Sequence, residues 1–334
     1  MPFLDRFRAG RPAPPQPTYV TGRTLGLAPL LRACQEVRRT GGFALAAELL
    51  AAVGDHWDYR ATAVDALAEA AITPRGVRAI ESWRKAAPGD GDMPAVRAEA
   101  AVQRAWRARG SGPASHTSRE GFAAFFRHLP EAEAFAIEAT AARPDDPTPW
   151  VTLMRVTRGL RQPRAVFDSR WDELTARDPH NARGTAQAMQ YPCDKWYGSH
   201  AEMYAFARDA ASRAPAGSPV KLLVVEAHVE EVLRDEWASG KDLGNRHGKT
   251  PDAQADLDAA LREWPDGHGH GYPTRLRDRS FLAYACAESR RWRDFARQVT
   301  DAGHRVWQTP WEYRGGSAYV RYAHRCAVRV RGYS

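Results

Sequence analysis

The amino-acid sequence predicts an all-α protein, a stack of antiparallel helix pairs, and three observations carry that prediction. Alanine fills 59 positions while isoleucine appears only at Ile72, Ile80 and Ile137; strands recruit β-branched side chains, whereas helices favour alanine. Hydroxyl–proline pairs that open helices recur along the chain. Finally, Pro144, Pro179 and Pro215 lie 35 and 36 residues apart, each closing a helical run, and a period of that length is the mark of a repeated helix pair.

The elements follow in order. Residues 1–20 hold Pro12, Pro14, Pro15 and Pro17 among polar residues and are expected to form a flexible, Pro-rich tail. They contain no apolar h-region, so they do not read as a secretory signal. A helical repeat domain is expected over 21–310. Its helix starts are Thr73-Pro74, Thr148-Pro149, Ser218-Pro219, Thr250-Pro251 and Thr309-Pro310, where the hydroxyl satisfies an orphan N–H and the proline has none to lose. Glu312 after Thr309, and Glu202 after Ser199, add the carboxylate of a capping box. His56-Trp57-Asp58 reads as the start of a helix over Tyr59–Ala71.

Between the starts, Leu45, Leu49 and Val53 recur at four-residue spacing. So do Val220, Val224 and His228, beside Val225, Val229 and Val232, and both patterns are helical. No segment alternates long enough to require a strand. Turn-forming residues concentrate at 86–94, 109–118, 239–250 and 265–273. Residues 311–334, with Tyr313, Tyr319, Tyr322 and Tyr333 among arginines, are expected to form a basic, aromatic C-terminal cap, because a helical stack must close its end.

Phe135-Ala136-Ile137-Glu138-Ala139, Phe206-Ala207-Arg208-Asp209-Ala210 and Phe295-Ala296-Arg297-Gln298-Val299 echo one another. The stretch from Thr148 to Pro179 resembles one tetratricopeptide (TPR) repeat. Trp150 and Leu153 match first-helix positions, and Trp171, Leu174 and Pro179 match the second helix and its closing proline after a one-residue insertion. Met154 stands where the family has a small residue. Residues 120–144 and 183–215 are similar but degenerate. Lys195-Trp196-Tyr197-Gly198-Ser199 followed by Phe206-Ala207-Arg208 also resembles an uncharacterised group of actinobacterial TPR-like proteins. The resemblance implies an α-solenoid with a right-handed superhelix, and it implies no reaction. It also implies that Val151, Arg155 and Arg158 face the concave surface, where two guanidinium groups three residues apart would clamp a carboxylate or phosphate.

Charge is unevenly distributed. Residues 1–40 carry seven arginines against Asp5 and Glu36, and residues 275–334 carry thirteen against five acids, so the body between is net acidic within a total of +8. Such ends suit an acidic partner, but solvated helix faces in an arginine-rich chain explain them as well. Nucleic-acid binding is not expected, for no known module is present. Cys34, Cys193, Cys286 and Cys326 form no CxxC pair and suggest neither a zinc ribbon nor a disulfide framework. No apolar run approaches the length of a membrane helix, so no membrane insertion is expected and a cytoplasmic location is the default.

Candidate chemistry is sparse. Gly244-Asn245-Arg246-His247-Gly248-Lys249-Thr250 falls one residue short of a phosphate loop and follows a helix rather than a strand. The Gly-x-Ser-x-Gly elbow is absent. Asp266, His268 and His270 share a glycine-rich loop in which two imidazoles and a carboxylate could meet one metal, with His247 or His228 supplying a third side chain. A solvated loop is the competing reading. His228, Glu231 and Asp235 share one helix face by three- and four-residue spacing; the HExxH pair of a metalloprotease is absent.

The function expected from these readings is a non-enzymatic scaffold without a cofactor. It would hold a protein or peptide segment, one that could carry acidic groups, on the concave face through Val151, Arg155, Arg158, Lys195 and Trp196. The alternative is a metal-dependent or small-molecule enzyme centred on the His268/His270 loop.

Overall fold

A computed structural model describes residues 15–22, 27–110, 116–264 and 273–331. Helices occur as α1 (Ala28–Thr40), α2 (Ala44–Val53), α3 (Trp57–Ala70), α4 (Pro74–Ala86), α5 (Met93–Arg109) and α6 (Arg119–Ala142). They continue as α7 (Thr148–Gly159), α8 (Arg164–Arg177), α9 (Ala182–Met189), α10 (His200–Arg213) and α11 (Leu223–Ser239), the last entered through a 3-10 turn over Pro219–Leu222. The short α12 (Gly244–His247) precedes α13 (Pro251–Glu263), α14 (Arg275–Glu288), α15 (Trp292–Asp301), the kinked α16 (Gln308–Trp311) and α17 (Ser317–Arg331). The described residues are all-α apart from two three-residue strands, β1 (Thr18–Val20) and β2 (Arg305–Trp307). No helix among the described residues is long and apolar enough to cross a membrane.

Three of the expected starts cap α-helices as expected. The Thr73, Ser199 and Thr250 hydroxyls accept from the N–H groups of Gly76, Glu202 and Ala253. Ser218 caps the 3-10 turn instead, accepting from Val220 N–H. At two others the cap differs from the expected one, although α7 does begin at Thr148. At Thr148 the cap is supplied from upstream, where the Asp146 carboxylate accepts from the Thr148 N–H at 2.8 Å. At Thr309-Pro310 the peptide is cis and Thr309 is non-helical; its hydroxyl reaches the Glu312 side chain at 2.6 Å rather than a backbone N–H, and only a short turn follows. The caps of α6 and α9, Ser118 and Asn181, lack a following proline and escape the pattern.

Alternate helices pack on one another: α1 on α3, α3 on α5, α5 on α7 and α7 on α9. The helices between them lie outside, with α6 held against both α5 and α7. Burial follows this division. α3 and α5 are buried nearly all round, whereas α8 buries only Phe167 and Leu174, as expected of inner and outer helices. Alanine serves the inner contacts: Ala98 and Ala136 meet beside Leu153 at the α5–α6–α7 junction, all essentially inaccessible.

The expected tail needs correction at its end. Residues 1–14 lie outside the described residues, but Thr18–Val20 pairs in parallel with Arg305–Trp307. The Thr18 N–H donates to His304 O at 2.7 Å, and Tyr19 packs against the C-terminal core. In that core Trp311 is fully buried, and Val320, Ala323 and Ala327 of α17 lie against α15. Arg314 ties this end to α11 and α14 through Glu236 at 2.5 Å and Glu288 at 3.2 Å.

Candidate functional site

A polar chamber of about 390 Å³ opens where α3, α9, α11, α14 and the β2–α16 segment converge. Its α3 wall is set by helical spacing: Asp58, Thr62 and Asp65 recur at four and three residues and therefore share a face. Glu226 of α11 and Asp278 of α14 face Arg277, which is 2.9 Å from each. Arg183 of α9 pairs with Asp65 at 2.5 Å. Five carboxylates line the chamber (Asp58, Asp65, Glu226, Asp278 and Glu312) against the guanidinium groups of Arg183 and Arg277. Burial raises the pKa of Glu226, and Arg277 partly offsets it. Burial opposes the charge on Arg277, but Glu226 and Asp278 outweigh it and raise its pKa.

A buried polar chain runs outward from this wall. Gln103 donates to the Asp65 carboxylate at 2.9 Å and to Glu99 at 3.0 Å. Glu99 also accepts from the Thr152 hydroxyl at 2.9 Å and pairs with Arg155. Arg155, expected to meet a ligand, is therefore engaged inside the protein.

The other expected groove residues are placed as follows. Val151 is buried with Met154, Phe167 and Leu174. Arg158 is 8% exposed and lies 5.2 and 5.5 Å from the ring centroids of Trp106 and Trp196. It donates to the Gln187 backbone and side-chain oxygens at 3.3 Å, and Gln187 itself lines the chamber. Desolvation, with Arg155 nearby, lowers the Arg158 pKa to about 10. Trp196 packs edge-to-face on Trp106. Lys195 pairs with Glu230. The structure thus brings Arg158 and Trp196 together, while Arg155 and Lys195 are drawn to separate carboxylates. Asp266, His268 and His270 lie outside the described residues.

A second constellation forms where α10, α11, α12 and α13 meet. His228 and Glu231 stand one turn apart on α11. His247 of α12 brings Nε2 to 2.8 Å from His228 Nδ1 and 3.8 Å from a Glu231 oxygen. The Tyr204 hydroxyl of α10 donates to Glu231 at 2.6 Å and is 2.7 Å from His228 Nδ1. Asp256 of α13 is 3.0 Å from His228 Nε2 and 2.9 Å from Arg208. Desolvation lowers the His228 pKa, against the Asp256 hydrogen bond. Asp235, on the same sequence-predicted face, turns instead to His200 at 3.3 Å. The His228–Glu231 spacing is legible in the sequence; Tyr204, Asp256 and Asp65 are not, and Asp58 reads there only as part of a helix start, although acids at helical spacing in an alanine-rich helix are a signal for the α3 face. No protein-family model, curated protein or solved structure matches the chain.

Proposed function

We propose that this protein is a non-enzymatic binding scaffold of the α-solenoid kind, with TPR-like helix pairs, whose chamber receives a cationic segment of a peptide or protein. The inner and outer roles of alternate helices support the solenoid reading. So does the coincidence of the TPR-like stretch with the pair α7 and α8. The observation that carries the binding reading is the excess of carboxylates around a chamber of about 390 Å³. That charge balance favours lysine or arginine side chains over the acidic partner that the arginines of α7 suggested, because complementary potential both steers and selects a partner.

The test is fluorescence anisotropy with labelled hexalysine and hexaglutamate peptides, at ionic strengths of about 0.05 and 0.5 M. Hexalysine is expected to bind, hexaglutamate is not, and added salt weakens the complex. Glu312 is exposed at the chamber wall, so Glu312→Arg should leave the fold intact and weaken hexalysine by about tenfold, or 1.4 kcal/mol. Equal binding of the two peptides, or an unchanged affinity in Glu312→Arg, rules this reading out.

A further inference from the structure

We infer that His228, Glu231 and His247 form a binding site for a divalent first-row transition-metal ion, with Asp256 orienting His228 from behind. The ligand atoms would be His228 Nδ1, His247 Nε2 and a Glu231 carboxylate oxygen, which all lie within 4.8 Å of one another. Metal–ligand bonds of about 2.0–2.1 Å place neighbouring ligand atoms about 3 Å apart. The 2.8 Å separation of the two nitrogens and the 3.8 Å separation of His247 from Glu231 bracket that value. Closing on an ion requires the Glu231 oxygen to come about 0.8 Å nearer to His247, and the Tyr204 hydroxyl to give up its contacts with that oxygen and with His228 Nδ1.

The surroundings are those of a metal ligand set. Asp256 faces His228 Nε2 at 3.0 Å, so the Nε2–H donates outward and the Nδ1 lone pair points into the cluster. This carboxylate–histidine arrangement fixes the tautomer and ring orientation in metal sites. His247 is held by anchoring of its short helix: the Leu243 and Gly244 N–H groups donate to Glu236 at 2.7 and 3.1 Å. Gly244 leaves no space for a Cβ, because the Glu288 carboxylate and Arg314 guanidinium occupy it.

Three protein ligands leave a further coordination position, the arrangement of catalytic rather than structural sites. A largely apolar cavity of about 40 Å³ touches both histidines and is walled by Val225, Val229, Val232 and Leu257. It has room for about two or three waters, enough for an exogenous ligand on the ion. Two imidazoles and one carboxylate suit zinc, and also iron(II) or cobalt(II). None of these ligands lines the acidic chamber, so the metal site and the peptide reading stand or fall separately.

The experiment uses full-length protein stripped with a chelator and titrated with Zn²⁺ against a chromophoric competitor, then with Co²⁺ while visible ligand-field bands are recorded. About one equivalent is expected, with Co²⁺ bands typical of nitrogen and oxygen ligands. His247→Ala and Glu231→Gln should each abolish the bands, and Asp256→Asn should weaken Zn²⁺ by roughly 10–100-fold. The His268→Ala/His270→Ala double variant should bind as the wild type does. Circular dichroism confirms folding, and Glu231→Gln decides the matter if His247→Ala does not fold. Absence of binding by the wild type would overturn the assignment, as would binding that survives Glu231→Gln and vanishes in the loop variant.

Discussion

At the scale of single residues, two arginines one turn apart have opposite energetics. Arg155 is paired with Glu99, whose carboxylate is also held by Gln103 and Thr152. Removing the guanidinium leaves that buried carboxylate short of its counter-charge, so Arg155→Met is expected to lower stability by about 3 kcal/mol in chemical denaturation. Arg158 is just as buried but no carboxylate pairs with it among the described residues. Desolvation acts on it first and lowers its pKa, while the Trp106 and Trp196 rings and Gln187 return part of the cost. Arg158→Met should therefore stay within about 1 kcal/mol of the wild type. An equal loss in both variants would show that the rings and Gln187 compensate Arg158 as fully as a carboxylate compensates Arg155. The sequence displayed the three-residue spacing of this pair but not its partners, because Glu99 lies 56 residues from Arg155 and only packing of α5 against α7 brings them together.

At the scale of elements, the segment from Lys195 to Ser199 is a joint between α9 and α10 in which each residue has a distinct task. Lys195 reaches Glu230, Trp196 packs on Trp106, the Tyr197 hydroxyl donates to Arg158 O at 2.9 Å, and Ser199 caps α10. Gly198 is the tightest point, for a Cβ there would overlap the Pro192 carbonyl oxygen. The opposing atom is backbone and cannot swing aside. Gly198→Ala is thus expected to cost about 1–3 kcal/mol, read as a lowered melting temperature with helix content retained in the folded state. The phrase that resembles a group of TPR-like proteins is accounted for by this joint without any ligand. Helix starts were legible wherever the cap and its N–H are local, as at Thr73 and Thr250. At Thr148 the start stands but Asp146 supplies the cap, and at Thr309 the residue is non-helical and only a short turn follows.

At the scale of the molecule, residues 18–20 are fastened to residues 305–307. β1 pairs with β2 across 287 positions, and the Tyr19 hydroxyl donates to Gln308 O at 3.2 Å. A chain beginning at residue 21 loses this strand and exposes the edge of Arg305–Trp307. It should be less stable by about 1–2 kcal/mol, from a few backbone hydrogen bonds worth about 0.5–1.5 kcal/mol each. Hydrogen exchange should quicken at 305–307 and remain unchanged in α5. Unchanged protection of β2 would mean that Tyr19 and the strand contribute nothing to the C-terminal core. The core itself is a succession of clusters, from Leu30–Ala139 to Leu222–Ala327.

Helical class, the capped starts of α4, α10 and α13, and the buried valines of α11 were legible in consecutive residues; in α2 the expected face of Leu45, Leu49 and Val53 is corrected, since Leu45 is exposed and Ala46 and Leu50 are buried. Propensity, capping and 3.6-residue periodicity act over a few residues and are written in consecutive positions. Tertiary structure decided what the polar residues do. It turned Arg155 and Lys195 toward internal carboxylates, converted the end of a Pro-rich tail into a strand, and gathered acids from α3, α11 and α14 around one chamber. It likewise brought His247 to His228 and four different helices to the same cluster. A charged side chain several bonds long takes its partner from whichever helix packs beside it. That choice depends on the whole arrangement of helices, and no local spacing records it.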